Sequence, residues 1–324
     1  MRAFVTGATG FVGSAVVRSL LRRAVAVRVL ARPNSDLSNI AGLDVEVFRG
    51  DLLDKEVLVR ALHSCDMVYH VAAYYSAKEA DSRTMYQVNV GGTRAVMRAA
   101  LQAGVPRVVH TSTIGTIGQP ADGSLATEAT SFNLWDTASH YVKSKYLGEV
   151  AALRLVQEGL QVIVVHPCAP LGPRDIKPSS TGQRLVDYLQ GRLPSFVAGG
   201  INFVAVEDVA EGAVLAAQRG RVGERYILGH KEGNLKLADF CALMEHVSGV
   251  KQPPMPRQRF QSWPLLGDRF SAWISRDKAY AKDHRPRALT CDPSKAIEEL
   301  GLPQTPLAAA MAEAVRWFRE HGYV

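Results

Sequence analysis

Along the first half of the chain, short runs of consecutive apolar residues alternate with stretches whose apolar positions recur every three or four residues. The runs at 3–6, 25–30, 45–48, 67–71, 108–111 and 162–166 are mostly apolar on consecutive positions, the pattern of strands covered on both faces of a parallel sheet. Between them, 13–23, 55–62, 92–103 and 141–158 carry the helical period. Repeated strand and helix units predict an α/β protein built on a doubly wound parallel sheet, with ligands at the carboxyl ends of its strands.

Beyond residue 166 the regularity breaks. A Pro/Gly-rich loop, Pro167-Cys168-Ala169-Pro170-Leu171-Gly172-Pro173-Arg174-Asp175, leads through a polar stretch to Gly182 and a helical run near 184–190. Short strands at 203–206 and 226–228, on either side of a helix at 209–217, are expected to rejoin the sheet. From about residue 231 the pattern is helical, interrupted by Pro253, Pro254, Pro256 and Pro264. The predicted organisation is therefore a core of 1–175, with 201–230 rejoining it, and a smaller, mostly helical substrate lobe made of 176–200 and 231–324.

Composition narrows the class. With 324 residues, 47% hydrophobic and 21% charged, the chain is long enough for two units or one large core with an appended lobe, and wholesale disorder is excluded. Its apolar runs, such as 162–165, fall far short of the ~18 residues a membrane span needs. The N-terminus enters a strand at once, without the features of a secretory signal. Cys65, Cys168, Cys241 and Cys291 form no C-x-x-C pair, so neither a zinc site nor a disulfide framework is indicated and a reducing, cytoplasmic location is expected. The net charge of +7 comes without a Lys/Arg run interleaved with aromatics, and it reads as diffuse surface charge; no nucleic-acid partner is expected.

The first motif is Gly7-Ala8-Thr9-Gly10-Phe11-Val12-Gly13, between the first strand and the first helix. Glycines let the backbone turn tightly and approach a pyrophosphate, and the helix N-terminus offers free N–H groups and a favourable dipole. In this Rossmann-type setting Gly7, Thr9, Gly10, Phe11, Val12 and Gly13 are the candidate dinucleotide-binding residues. At the end of the second strand an acid would accept from the ribose 2′-hydroxyl of NAD, whereas an arginine pairs with the 2′-phosphate of NADP. Arg32 stands there, so NADP is favoured, with Asn34 and Ser35 as auxiliary donors; NAD stays open through Asp36. Asp51 and Leu52 follow the third strand, where an adenine edge would be held. Ala72 and Ala73 follow the fourth, where the cofactor ribose must pass.

The second motif is Tyr141-Val142-Lys143-Ser144-Lys145, whose phenol and ammonium share one helix face. A phenol with pKa about 10 needs a nearby positive charge before it can act as an acid/base catalyst at neutral pH. Tyr74 and Lys78 have the same spacing, but no hydroxyl-bearing strand end precedes them. Tyr141 is preceded by Thr111-Ser112-Thr113 at the end of the fifth strand, where a hydroxyl can bind the carbonyl oxygen that Tyr141 protonates. Thr113, Tyr141 and Lys145 are thus the candidate catalytic residues.

These elements in this order resemble the extended short-chain dehydrogenase/reductases of the NAD-dependent epimerase/dehydratase family. That group includes nucleotide-sugar epimerases, dihydroflavonol reductases and 3β-hydroxysteroid dehydrogenases. The resemblance runs nearly end to end and takes in Asn89-Val90-Gly91-Gly92-Thr93, Phe203-Val204-Ala205-Val206-Glu207-Asp208-Val209-Ala210 and Gly223-Glu224-Arg225-Tyr226-Ile227-Leu228-Gly229. The run from Gly172 to Gly182 is most similar to the hopanoid-associated sugar epimerase subgroup. The resemblance implies the catalytic hydroxyl at Thr113, with Thr111 and Ser112 beside the cofactor, Tyr141 and Lys145 in the catalytic pair, and Pro167 to Ala169 facing the nicotinamide. It also implies homodimers through 92–103 and 141–158.

Two positions depart from a nucleotide-sugar epimerase. Arg32 stands where such enzymes carry an acid, and His166-Pro167-Cys168-Ala169-Pro170 stands where they carry a sugar-binding Asn; both are more like the flavonol and steroid reductases. The expected function is therefore an NADP(H)-dependent oxidoreductase moving hydride to or from a carbonyl or secondary alcohol, with a polycyclic hopanoid lipid as one substrate class. The alternatives are an epimerase or dehydratase with tightly bound NAD, and a noncatalytic dinucleotide sensor. The substrate is a small molecule, apolar or sugar-bearing. The aromatic run at 260–274 is expected in the lobe, as its core, a pocket wall or a peripheral membrane contact. Trp135, His140, Tyr74 and Tyr75 are expected near the pocket, His140 as a candidate extra proton relay.

Overall fold

The computed structural model describes residues 1–251 and 288–324. The expected aromatic run at 260–274 and the four prolines from 253 to 264 lie outside the described residues. Six of the predicted strands are β1 (Arg2–Thr6), β2 (Ala26–Ala31), β3 (Val45–Arg49), β4 (Met67–His70), β5 (Arg107–Thr111) and β6 (Gln161–Pro167). With β9 (Arg225–Leu228) they form one seven-stranded sheet in the order β3-β2-β1-β4-β5-β6-β9. Every neighbouring pair is parallel. The order reverses between β1 and β4, and this switch point opens the crevice in which doubly wound sheets bind ligands.

Helices cover both faces because both faces of the strands are apolar. α1 (Phe11–Arg22) and α7 (Val206–Arg219) pack on one side over Val5, Val29, Val165 and Ile227. On the other side α2 (Lys55–Leu62), α4 (Thr93–Gln102) and α5 (His140–Arg154) pack over Phe4, Val68, Val108 and Val164. Asp54 caps α2 by accepting from Val57 N at 3.0 Å, and Ser139 caps α5 by accepting from Val142 N at 3.4 Å. α3 (Ser82–Tyr86) runs through a wide π-type turn, Gln87–Gly92, into α4, and α5 lies so close to that turn that a Cβ on Gly148 would sit 2.5 Å from the Asn89 carbonyl.

The strand expected at 203–206 forms, as β8 (Ile201–Ala205), but it does not rejoin the main sheet. It pairs with β7 (Ala169–Leu171) and β10 (Asn234–Leu235) in a separate three-stranded sheet. Its side chains explain why. Val204 joins the core beneath α1 and α7, while Ile201, Phe203 and Ala205 join a second core with α6 (Ser180–Leu189), α8 (Leu237–Ser248) and the C-terminal helix Leu307–Glu320. A strand wedged between two cores is apolar on both faces, as a central sheet strand is. Of 201–230, Arg225–Leu228 alone enters the main sheet. No described helix is long and apolar enough to cross a membrane.

Candidate functional site

The glycine segment turns from β1 into α1 over the switch point. Gly7 has φ +72°, and a Cβ on it would lie 2.7 Å from the Ala72 backbone. A Cβ on Gly13 would run into the Gly7 carbonyl. Gly10 caps α1 without a side chain, and the first turn carries no acid, so its N–H groups and dipole are left to an anionic ligand. Thr9, Phe11 and Val12 complete the turn. These residues fit a dinucleotide pyrophosphate, and they suit it through backbone approach and open donors.

The remaining predicted cofactor residues line the carboxyl ends of successive strands. Arg32 follows β2 and is exposed; its carbonyl accepts from Arg49 Nη1 at 3.1 Å. Asn34 is exposed and Ser35 closes the turn by donating its N–H to the Arg32 carbonyl at 3.0 Å. Asp36 accepts from Ser38 N at 2.9 Å, and this backbone bond holds its carboxyl below the usual range. Asp51 accepts from Leu53 N, Leu52 packs beneath Gly92, and Ala72 N donates to Thr6 Oγ1 at 3.2 Å beside Ala73. Pro167 ends β6, and Ala169 begins β7.

α5 carries the catalytic candidates. Tyr141 is half-buried and its ring meets Tyr75 edge-on with centroids 5.0 Å apart. Burial, with Tyr75 adding, pushes its phenol up to about 12. Lys145 is buried and donates from Nζ to the Thr111 carbonyl at 2.6 Å. Burial pulls its ammonium down to about 8, against the opposing pull of Glu149. Thr113 begins a tight turn, Ile114–Thr116, and its carbonyl accepts from Thr116 Oγ1 at 2.8 Å. Its Oγ1 accepts only a long bond from Gly115 N at 3.4 Å, which leaves the hydroxyl proton available.

Below this layer lies a buried polar network that the sequence reading missed. Glu149 Oε2 accepts from Ser112 Oγ at 2.7 Å and from Thr116 Oγ1 at 3.1 Å, and Oε1 lies 3.6 Å from Arg225 Nη1 and 3.7 Å from His166 Nε2. Ser112, expected beside the cofactor, therefore directs its hydroxyl to Glu149. The signal was present: Tyr141, Lys145 and Glu149 repeat at four-residue steps along one helix face. Replacing Glu149 by alanine strands buried donors from several elements. Urea unfolding should show a loss of about 3 kcal/mol, with a smaller loss for Glu149→Gln.

Three histidines at the strand ends were also missed. His70 bonds Thr6 Oγ1 at 2.8 Å and Thr93 Oγ1 at 3.0 Å, and stacks on His110 with centroids 5.3 Å apart. Neither ring nitrogen of His110 has a hydrogen-bond partner among the described residues. Burial drives His70 down to about 3 and lowers His110 and His166 as well. The imidazoles are neutral and add no competing charge beside Lys145.

The other pocket candidates separate. Tyr75 reaches the site, and its hydroxyl accepts from Ser180 Oγ at 3.2 Å. Tyr74 turns its backbone to Asn89, and its partner in spacing, Lys78, lies with it in a loop, so that second Tyr/Lys pair does not share a helix face. His140 Nε2 faces Glu79 at 2.8 Å and its Nδ1 faces the Tyr86 hydroxyl at 3.1 Å, so neither nitrogen is directed to Tyr141. Trp135 belongs to an aromatic cluster with Phe132 and Tyr146. Cys168 and Cys291, distant in sequence, bring free, buried sulfurs within 3.3 Å.

Residues 3–229 match the NAD dependent epimerase/dehydratase family. The chain is 38% identical over 333 residues to a protein of Synechocystis sp. named after dihydroflavonol 4-reductase, covering 99% of this chain and 95% of that one. It is 35% identical over 331 residues to sterol demethylase protein B of Methylococcus capsulatus, covering all of both. Its fold is similar to that of a dTDP-glucose 4,6-dehydratase from Streptomyces venezuelae solved with NAD and TYD bound, at 28% identity and a TM-score of 0.79, covering 99% and 97% of the two chains.

Proposed function

The chain belongs to the NAD dependent epimerase/dehydratase family, and from that footing we propose that it is an NADPH-dependent reductase of a carbonyl on an apolar, polycyclic substrate. Family membership makes it an NAD(P)-dependent oxidoreductase. The direction and the phosphate preference are our reading.

The observation that carries the direction is the likeness, over 99% of the chain, to a protein named after dihydroflavonol 4-reductase, with the Tyr141 phenol and the Thr113 hydroxyl as the donors such a reduction uses. A phenol pushed up to about 12 is a proton donor at neutral pH. When bound, the nicotinamide supplies the hydride that the carbonyl carbon accepts. Tyr141 gives its proton to the carbonyl oxygen, and the Thr113 hydroxyl donates to the same oxygen as negative charge develops. Lys145 then stabilises the phenolate left behind.

For the cofactor, Arg32 offers an exposed guanidinium at the end of β2, and Asp36 is already engaged by Ser38. Both features support NADP over NAD. The name of the Methylococcus relative refers to sterols, which supports a polycyclic lipid as the substrate class. A fluorescence titration of NADPH against NADH tests the preference. In Arg32→Asp, the ratio of affinities should fall about 10- to 100-fold, the value of a charge-assisted pair. An unchanged ratio overturns the NADP assignment. Purified protein that carries tightly held, non-exchanging NAD would favour the epimerase reading instead.

A further inference from the structure

The loop between β7 and α6 lies over the start of α1. Phe11, the first residue of α1, shares the wall of a small cleft with Gly172, Asp175 and Thr181. Asn39, 4% exposed, ties the two segments together: its Nδ2 donates to the Thr9 carbonyl at 3.1 Å and to the Arg174 carbonyl at 3.3 Å. Asn39 Oδ1 is buried with no hydrogen-bond partner among the described residues. One amide therefore links the glycine turn to the backbone of Arg174.

Arg174 is held on its other side as well. The next residue, Asp175, is buried and accepts from Ser179 N at 2.9 Å and Ser179 Oγ at 2.7 Å, which fixes the loop to the N-terminus of α6. Between these anchors Arg174 takes φ +74°, a left-handed conformation that L side chains adopt at a cost. Glycine would be the ordinary residue there. The half-buried guanidinium makes no hydrogen bond or ion pair among the described residues, although Glu207 is close enough to be influenced by it. Arg18 of α1 is disfavoured by burial and then by Arg174, so a second cation stands in the same neighbourhood. Two guanidinium groups thus face one carboxylate, Glu207, near a helix start whose first turn carries no acid, so a further anion is favoured there.

We propose that Arg174 is a cofactor-positioning residue whose guanidinium closes over the dinucleotide pyrophosphate seated on the Thr9–Gly10–Phe11 turn. The assignment rests on the dinucleotide-binding reading of the site. It makes the loop between β7 and α6 part of the cofactor site, and it explains why an arginine occupies a left-handed position.

The test is calorimetric titration of the full chain with two fragments: ADP-ribose, which carries the pyrophosphate, and adenosine 2′-monophosphate, which lacks it. Arg174→Gln should weaken ADP-ribose about tenfold and leave adenosine 2′-monophosphate within about threefold of the unsubstituted protein. Arg174→Gly, which relaxes the backbone, should show the same selective loss with Tm unchanged or raised. Unchanged ADP-ribose affinity in both variants overturns the proposal, and so does an equal loss for both fragments. If the unsubstituted protein binds neither ADP-ribose nor NADPH, the dinucleotide reading itself falls.

Discussion

Tyr141→Phe is expected to lower the rate of carbonyl reduction by about 100- to 10,000-fold, the range of a lost general acid, while NADPH still binds within about threefold of its original affinity. Phenylalanine keeps the ring, and therefore the edge-on packing against Tyr75. The Tyr141 hydroxyl makes no hydrogen bond among the described residues, so removing it leaves no stranded partner and the fold should tolerate the change. The loss is then chemical and not structural. NADPH oxidation followed by absorbance, with a polycyclic ketone such as a 3-ketosteroid as the probe, gives the rate. Fluorescence titration gives the affinity. A variant that reduces the ketone at the original rate would falsify the assignment of Tyr141 as the acid, and a variant that loses NADPH binding as well would make the residue part of the cofactor seat.

How far the sequence reaches is visible in particular residues. Strands β1, β2, β4, β5 and β6 were legible because each is buried on both faces, which leaves a largely apolar run, whereas the edge strand β3 is only half-buried and was read from Val45, Val47 and Phe48. Glycine spacing located the cradle for the same reason: the backbone approach at Gly7 and Gly13 admits no side chain. β8 misled, since burial between two cores produces the same run as a place in the main sheet, and periodicity carries no information about which neighbour a strand finds. Glu149 was passed over because a lone acid on a helix ordinarily faces solvent. Its partners Ser112 and Thr116 lie in the turn after β5 and Arg225 in β9, and only folding assembles them. His70, His110 and His166 were counted as strand residues and not as polar groups, although they fill consecutive strand ends. The Asn39 bridge to Arg174 spans 135 residues and leaves no local pattern at all.

Lys145→Met separates what the site does from what the fold wants. Lys145 is 2% exposed, and burial pulls its ammonium from 10.5 to about 8, which sets the cost of keeping it charged at pH 7 at about 3 kcal/mol. The sign follows from proton counts. Between pH 8 and 10.5 the unfolded chain binds the proton that the folded chain has released, so stability rises with pH across that window, and below it the full cost is present. Methionine fills a similar volume without the charge, at the loss of the bond to the Thr111 carbonyl, worth about 1–2 kcal/mol. The variant should therefore be about as stable as the unsubstituted protein or more so at pH 7, and its advantage should shrink as pH rises toward 10.5. Activity should move the other way. With no ammonium to stabilise the Tyr141 phenolate, kcat/KM for reduction should fall at least about 100-fold. The decline expected of the unsubstituted enzyme above about pH 8, as Lys145 loses its proton, should be absent from the variant's profile. Urea unfolding at pH 7 and 10 and the pH–rate profile measure both halves. A methionine variant that is several kcal/mol less stable and keeps the alkaline limb would show Lys145 to be a structural residue, with the limb belonging to another group.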